Sequence, residues 1–331
     1  MYLVTGGAGF IGSHIVQQLV AKGEGVRVLD NFSFGKQENL RGLENQVEVF
    51  LGDLLDPPVV RKAMEGVEVV FHQAALRSVP FSVKDPALVN RVNVEGTVNV
   101  LVAARDTGVR RVVYASSSSV YGESKVLPKN ERQIPIPISP YAVSKLSGEH
   151  YCKVFTKLYG LETVGLRYFN VYGPRQDPSS EYAAVIPRFI HWALRGEPLE
   201  VHGDGRQSRD FTYIDNVVNA NLLAAHCLDG IGEAFNVGQG HSQTLLDLIE
   251  LLQEILNIEL RLLHTSGRDG DVRHTLADIS ESERCLGYRP QFSFEEGIVE
   301  TVEHFAKQMG MGGDLARITD KSFLTINTRR T

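Results

Sequence analysis

The stretch that most limits what this chain can fold into is its opening one: an apolar run, Leu3-Val4-Thr5, passes into Gly6-Gly7-Ala8-Gly9-Phe10-Ile11-Gly12 and then into a helical pattern. A strand that becomes a helix through spaced glycines has few uses. Gly6 permits a tight turn, Gly9 lets backbone approach a ligand, and Gly12 lets the helix lie against the strand. The helix start, with Phe10 and Ile11, presents unpaired N–H groups and a positive dipole end, which suit a pyrophosphate. A second apolar strand, Val26-Arg27-Val28-Leu29, ends at Asp30, the distance from the glycines at which such a unit places an acid. A carboxylate there accepts from both ribose hydroxyls of an adenosine and repels a 2′-phosphate, so NAD is expected over NADP.

The first half of the chain repeats that alternation. Short β-branched runs at 2–5, 26–30, 47–51, 67–71, 111–115 and 162–167 are separated by helical patterns at 11–22, 57–65, 86–107 and 140–159. This predicts an α/β fold with a parallel, doubly wound sheet of the Rossmann type. Such sheets bind ligands beyond the carboxyl ends of their strands. Candidate cofactor residues are therefore Asn31, Ser33 and Gly35 after the second strand, Asp53 and Leu54 after the third, and Ala74 and Ala75 after the fourth. Asp53 also suits a strand-end cap, and His72, behind Val69-Val70-Phe71, reads as a core histidine.

From about residue 172 loops rich in Pro, Gly and charge take over, with short strands at 199–202, 234–237 and 260–263 and helices at 182–195, 214–228, 243–256 and 293–307. The expectation is a NAD-binding domain over 1–171 that also receives part of 205–240, a smaller substrate-binding lobe over 172–309, and a tail, 310–331, with no clear periodicity. With 34 Lys and Arg against 40 Asp and Glu, a net charge of −6, no basic tract can follow a phosphate backbone, and nucleic acid is not expected as a partner. Cys152, Cys227 and Cys285 lack the spacing of a zinc site or a disulfide framework, so no metal is expected. The first strand begins at residue 2, leaving no room for a signal peptide, and no apolar run reaches the roughly 18 residues of a membrane span. A soluble, cytoplasmic protein with no membrane partner is expected.

Chemistry enters at two places. The strand Arg111-Val112-Val113-Tyr114-Ala115 runs into Ser116-Ser117-Ser118-Ser119, hydroxyls at a carboxyl strand end. Ser139-Pro140-Tyr141-Ala142-Val143-Ser144-Lys145 then starts a helix, because Ser139 suits the cap and Pro140 the first helical position. Tyr141 and Lys145 share one face at i, i+4. A phenol with a pKa near 10 is a poor base at neutral pH, and lowering it by about three units takes roughly 4 kcal/mol of preferential phenolate stabilisation. One lysine in a partly dry site, helped by the positive charge of an oxidised nicotinamide, is of that order.

Together, the glycine turn, Asp30, the serine strand end and Tyr141-x-x-x-Lys145 resemble the extended short-chain dehydrogenase/reductases, and within them the nucleotide-sugar 4-epimerases, particularly those acting on UDP-N-acetylglucosamine. The likeness runs from residue 1 to about 307. It implies Tyr141 as general base, Ser117 sharing the proton of the sugar 4-hydroxyl with Ser118 beside it, and Lys145 on the nicotinamide ribose. It implies that Asn93 supports the active site, that Tyr168-Phe169-Asn170 packs the nicotinamide, and that Asn170 reaches the substrate phosphates. For a UDP-sugar it implies Ala184 and Val185 at the uridine, Arg209 and Arg268 on the diphosphate, and Asp271 on the uridine ribose. Two guanidinium forks suit a diphosphate. A homodimer through helices 86–107 and 140–159 is a further implication.

The reaction so implied is inversion at C4 through a 4-keto sugar, with the hydride lent to NAD and taken back. A 4,6-dehydratase would want an Asp-Glu pair beside the serine, where this chain has Ser118 and Ser119. Thr275 stands where glucose-restricted epimerases carry a bulky tyrosine, and a small wall admits an N-acetyl group. Ser78 and Gln176 match the N-acetylhexosamine-preferring members. Arg77 departs from the small residue expected before Ser78, and its guanidinium suits the carboxylate of UDP-glucuronate. The expected substrates are UDP-GlcNAc and UDP-GalNAc, extending to UDP-Glc and UDP-Gal, with a UDP-glucuronate 4-epimerase as the alternative.

Overall fold

The protein, seen in a computed structural model, is described over residues 1–122, 124–178, 183–266 and 272–311. Its β-branched runs form six parallel strands: β1 (Tyr2–Thr5), β2 (Val26–Asp30), β3 (Val47–Leu51), β4 (Val69–His72), β5 (Arg111–Ser117) and β6 (Glu162–Tyr168). The segment Ala234–Val237 adds a seventh, parallel to β6, and the order across the sheet is Ala234–Val237, β6, β5, β4, β1, β2, β3. The chain winds from β1 outward to β3, then returns to β4 on the other side of β1. The crevice between the ends of β1 and β4 is therefore the switch point where such sheets bind ligands.

Period-two alternation assigns the two faces. Leu3, Leu29, Val70 and Val112 join one apolar layer, and Val4, Val28, Phe71 and Val113 the other. All eight are at most 1% exposed, and each contributes roughly 1.5–3 kcal/mol of burial. Helices α1 (Phe10–Ala21), α2 (Pro57–Ala63), α3 (Val79–Lys84), α4 (Pro86–Asn90), α5 (Gly96–Thr107) and α6 (Pro140–Tyr159) follow in order, with α2, α5 and α6 on the first face. The expected single helix over 86–107 is interrupted by a π turn, Arg91–Glu95, between α4 and α5. After α7 (Val185–Leu194), helix α8 (Ile214–His226) packs beside α1 on the second face. Among the described residues no helix is long and apolar enough to cross a membrane.

Beyond β6 the strands are short. Leu199–His202 pairs with Leu262–Thr265, Ser208–Arg209 with Gln243–Thr244, and Thr212–Tyr213 with Val171–Tyr172. These place the segment around Arg209 against the carboxyl end of β6, where a second cleft opens.

Candidate active site

At the switch point the turn after β1 is as tight as its glycines allow. Gly6 has φ 67°, and a Cβ on Gly12 would stand 2.2 Å from the Gly6 carbonyl oxygen. Helix α1 starts at Gly9 without a side-chain cap. Its first N–H groups are thus left for an anion. Asp30 is buried and accepts the Ala8 N–H at 2.9 Å on one oxygen and the Phe32 N–H at 2.8 Å on the other. An ionised carboxylate has about four lone-pair sites, so capacity for ribose hydroxyls remains. Asn31 donates to Asp53 at 2.7 Å, and Ser33 donates its N–H and O–H to Asn31. Gly6, Gly9, Phe10, Ile11 and Gly12 line this cleft, as do Asp30, Asn31, Ser33, Gly35, Asp53 and Leu54. Ala74, Ala75, Tyr141, Lys145 and Tyr168 line its other end. The uncapped helix start, the glycine turn and the pinned carboxylate fit a dinucleotide.

The tyrosine–lysine pair sits at that other end because Ser139 caps α6, accepting the Ala142 N–H at 3.1 Å, with Pro140 in the first turn. Lys145 donates its amine to the Ala115 carbonyl at 2.8 Å and lies 5.9 Å from the centre of the Tyr141 ring. Burial pulls the lysine down to about 8 and pushes the Tyr141 phenol above its ordinary value. The Ser117 side chain and the charge of Arg77 oppose that rise. Burial dominates: the phenol loses more solvation than these neighbours restore. Ser117 closes β5 and Ser118 opens the 3-10 turn Ser118–Tyr121 behind it.

Several side chains hold this end in place. Asn93, on the π turn, accepts the Leu76 N–H at 2.8 Å and donates to the Leu76 carbonyl at 2.9 Å and to Ser144 at 3.0 Å. It thus stands behind the wall of the cleft and ties the loop after β4 to α6. His72 sits between Thr5 at 2.7 Å and Thr97 at 3.0 Å, and burial holds it neutral, with a pKa of about 3. Glu149 extends the face of Tyr141 and Lys145 by one more turn. It accepts from the Ser116 hydroxyl and from Arg167 at 2.9 and 2.8 Å, and Arg167 in turn donates to Tyr121 at 2.9 Å.

The second cleft is lined by Asn170, Ala184, Val185 and Arg209, together with Glu200 and His202. Its framework is Asp210, fully buried, which accepts N–H groups of Gln239, Gly240 and Ala277 at 2.6, 3.1 and 3.0 Å; burial pushes it up to about 6. Asn170 donates to the Asp210 carbonyl and to the Thr275 hydroxyl, both at 3.2 Å, so Thr275 stands beside Asn170. Ser78 uses its hydroxyl to cap α3, accepting the Phe81 N–H at 3.1 Å. Gln176 is buried and donates to the Val171 carbonyl at 3.1 Å. Tyr168 lines the cofactor cleft, but Phe169 does not pack there; it is fully buried with Val120, Tyr121 and Ala277. Arg268 and Asp271 lie outside the described residues.

Sequence reasoning missed Glu149, Arg167 and Asp210 as parts of the site. The spacing of Glu149 from Lys145 was a usable signal; the other two depend on pairing across the sheet and between loops.

The chain resembles known proteins along most of its length. Residues 2–238 match the family model described as the NAD dependent epimerase/dehydratase family. The UDP-glucose 4-epimerase of Mycolicibacterium smegmatis is 40% identical over 307 residues, 92% of this chain and 97% of that protein. The structure of a UDP-N-acetylglucosamine 4-epimerase from Methanobrevibacter ruminantium, in complex with UDP-N-acetylmuramic acid, is 42% identical, with TM-score 0.89 over 93% of this chain and 98% of the other. That of a UDP-glucuronic acid 4-epimerase from Bacillus cereus, in complex with UDP-glucuronic acid and NAD, is 35% identical, with TM-score 0.86 over 93% and 99%. With a dinucleotide cleft at the switch point and a tyrosine–lysine pair at its end, the chain belongs to the NAD dependent epimerase/dehydratase family.

Proposed function

We propose that the protein is a UDP-hexose 4-epimerase that interconverts UDP-GlcNAc and UDP-GalNAc and also accepts UDP-Glc and UDP-Gal. The observation that carries this is one arrangement: Tyr141 and Lys145, on one face of α6, line the end of the dinucleotide cleft where Ser117 closes β5, and a separate cleft bearing Arg209 opens beyond β6. Relatives named as UDP-glucose and UDP-N-acetylglucosamine 4-epimerases support it. NAD, when bound, supplies a reversible hydride acceptor and a positive charge near the phenol. Tyr141 takes the proton of the sugar 4-hydroxyl beside Ser117 and later returns it. Lys145, kept from water, holds a ribose hydroxyl and keeps its charge close to the phenol. Asn170 and Arg209, with Arg268, anchor the diphosphate, and Ala184 and Val185 flank the uridine. UDP is held firmly and the sugar loosely, so the sugar can present either face. Thr275 leaves room for an N-acetyl group.

The NAD-binding unit is 1–171 with part of 205–240, and 172–309 is the substrate-binding unit. Val143, Tyr151, Val154 and Leu158 on α6 are exposed apolar residues, which supports a homodimer through the long helices. Replacing Tyr141 with Phe abolishes turnover while UDP still binds in calorimetry. Turnover retained near the parent rate removes the tyrosine from its role.

A further inference from the structure

Strand alternation sets one face of the sheet under α8. Phe71, Val113, Ala115, Leu166 and Tyr168 share that layer, α8 lies on β5 and β6, and Gln73, one step past the end of β4, falls on the same side. Three polar side chains meet where this layer reaches the cofactor cleft. Asn221 of α8 is fully buried, and its Nδ2 donates to the Val217 carbonyl at 2.8 Å, which turns its Oδ1 toward the strands. That oxygen accepts the Tyr168 O–H and one Nε2 N–H of Gln73, both at 3.0 Å, and the other Nε2 N–H of Gln73 reaches the Tyr168 oxygen at 3.1 Å. Burial pushes the Tyr168 phenol up, so it keeps the proton it donates. The Gln73 backbone N–H is held by the Thr5 carbonyl at 3.2 Å. Gln73 and Tyr168 both line the cofactor cleft, and Tyr168 pairs in register with Ser117 where β6 and β5 end. The triangle thus backs the end of the cleft that holds Tyr141 and Lys145.

We propose that Asn221 is a positioning residue for the cofactor: from a helix far along the chain from the strands of the cleft, it locks the Tyr168 ring, with Gln73, as the wall against which the nicotinamide ring lies. This rests on the reading that Tyr141 marks the reacting end of the cleft. A hydride lent and taken back needs the ring that carries it to keep one distance from the sugar in both directions. A tyrosine free to turn about its two side-chain torsions leaves that wall adjustable. One whose O–H shares a buried acceptor with a second donor, on a helix packed beneath it, loses that freedom.

The test compares the affinity of the NAD-free full chain for NAD with that for ADP-ribose, which lacks the nicotinamide, in the parent, Asn221→Leu, Tyr168→Phe and the double variant. Each single substitution lowers NAD affinity about tenfold and leaves ADP-ribose affinity within about twofold, and Asn221→Leu adds nothing further to Tyr168→Phe. Damage that is merely structural lowers both affinities together. Equal losses for the two ligands overturn the proposal, as do an unchanged NAD affinity and additive effects of the two substitutions. If Asn221→Leu does not fold, Tyr168→Phe, which removes a single oxygen, decides on the same ratio. In NAD-loaded protein the single variants lower kcat and leave the UDP-sugar KM unchanged. A parent that turns over no UDP-sugar overturns the epimerase reading and leaves the ratio of NAD to ADP-ribose affinity to decide on Asn221.

Discussion

Keeping the buried Lys145 amine charged costs the fold stability, and the size of that cost follows from its burial. Burial brings its amine from an ordinary 10.5 to about 8. At about 1.4 kcal/mol per unit, keeping it protonated at pH 7 costs the folded protein about 3 kcal/mol. The 2.8 Å bond to the Ala115 carbonyl returns about 1 kcal/mol of this. Lys145→Met is thus more stable than the parent by about 2 kcal/mol at pH 7, a rise in Tm of about 3 °C for a chain of 331 residues, and it is inactive. The pH dependence fixes the cause. Below about 8 the lysine is protonated in both states and the full penalty applies. As pH rises from there to the unfolded value, the unfolded chain holds a proton that the folded one has released, so parent stability increases. The advantage of the Met variant shrinks over that range and is gone before the unfolded value of 10.5 is reached. Urea unfolding of both NAD-free proteins at pH 7 and pH 10 measures it. A variant less stable than the parent at pH 7, or an advantage that does not shrink, refutes the reasoning.

Two further substitutions probe the scaffold. Gly12→Ala puts a methyl 2.2 Å from the Gly6 carbonyl oxygen, which forces the turn open; the purified variant carries little NAD, read by extraction and absorbance, although it folds. Glu149→Gln leaves the buried Arg167 guanidinium uncompensated and costs about 3–5 kcal/mol in denaturant unfolding. Replacing Glu149 and Arg167 together with Met recovers most of that loss, and a purely additive double variant contradicts the pairing.

What the sequence disclosed was what is local. Strand positions followed from β-branched runs with period two, and the Ser139-Pro140 start of α6 aimed Tyr141 and Lys145 together because a helix repeats every four residues or so. The glycine turn was legible for the same reason. Long-range facts were not. The π turn that presents Asn93 carries no glycine or proline to announce it, and it read as continuous helix. The rise of the Tyr141 pKa depends on how deeply the finished fold buries the phenol, which a motif does not encode. Phe169, between two residues that do face clefts, is turned into a small core just past the end of β6. Arg77 stood out only as a departure from an expected small residue; its place in the lining of the cofactor cleft is a product of the fold.

The central claim is that the cofactor lends a hydride and recovers it without exchange. Purified protein, with no NAD added, is incubated with UDP-GlcNAc deuterated at C4, and the products are separated by chromatography and weighed by mass spectrometry. The account predicts UDP-GalNAc that keeps its deuterium. Product that has exchanged the deuterium for solvent hydrogen, or no product from protein that carries NAD, contradicts it.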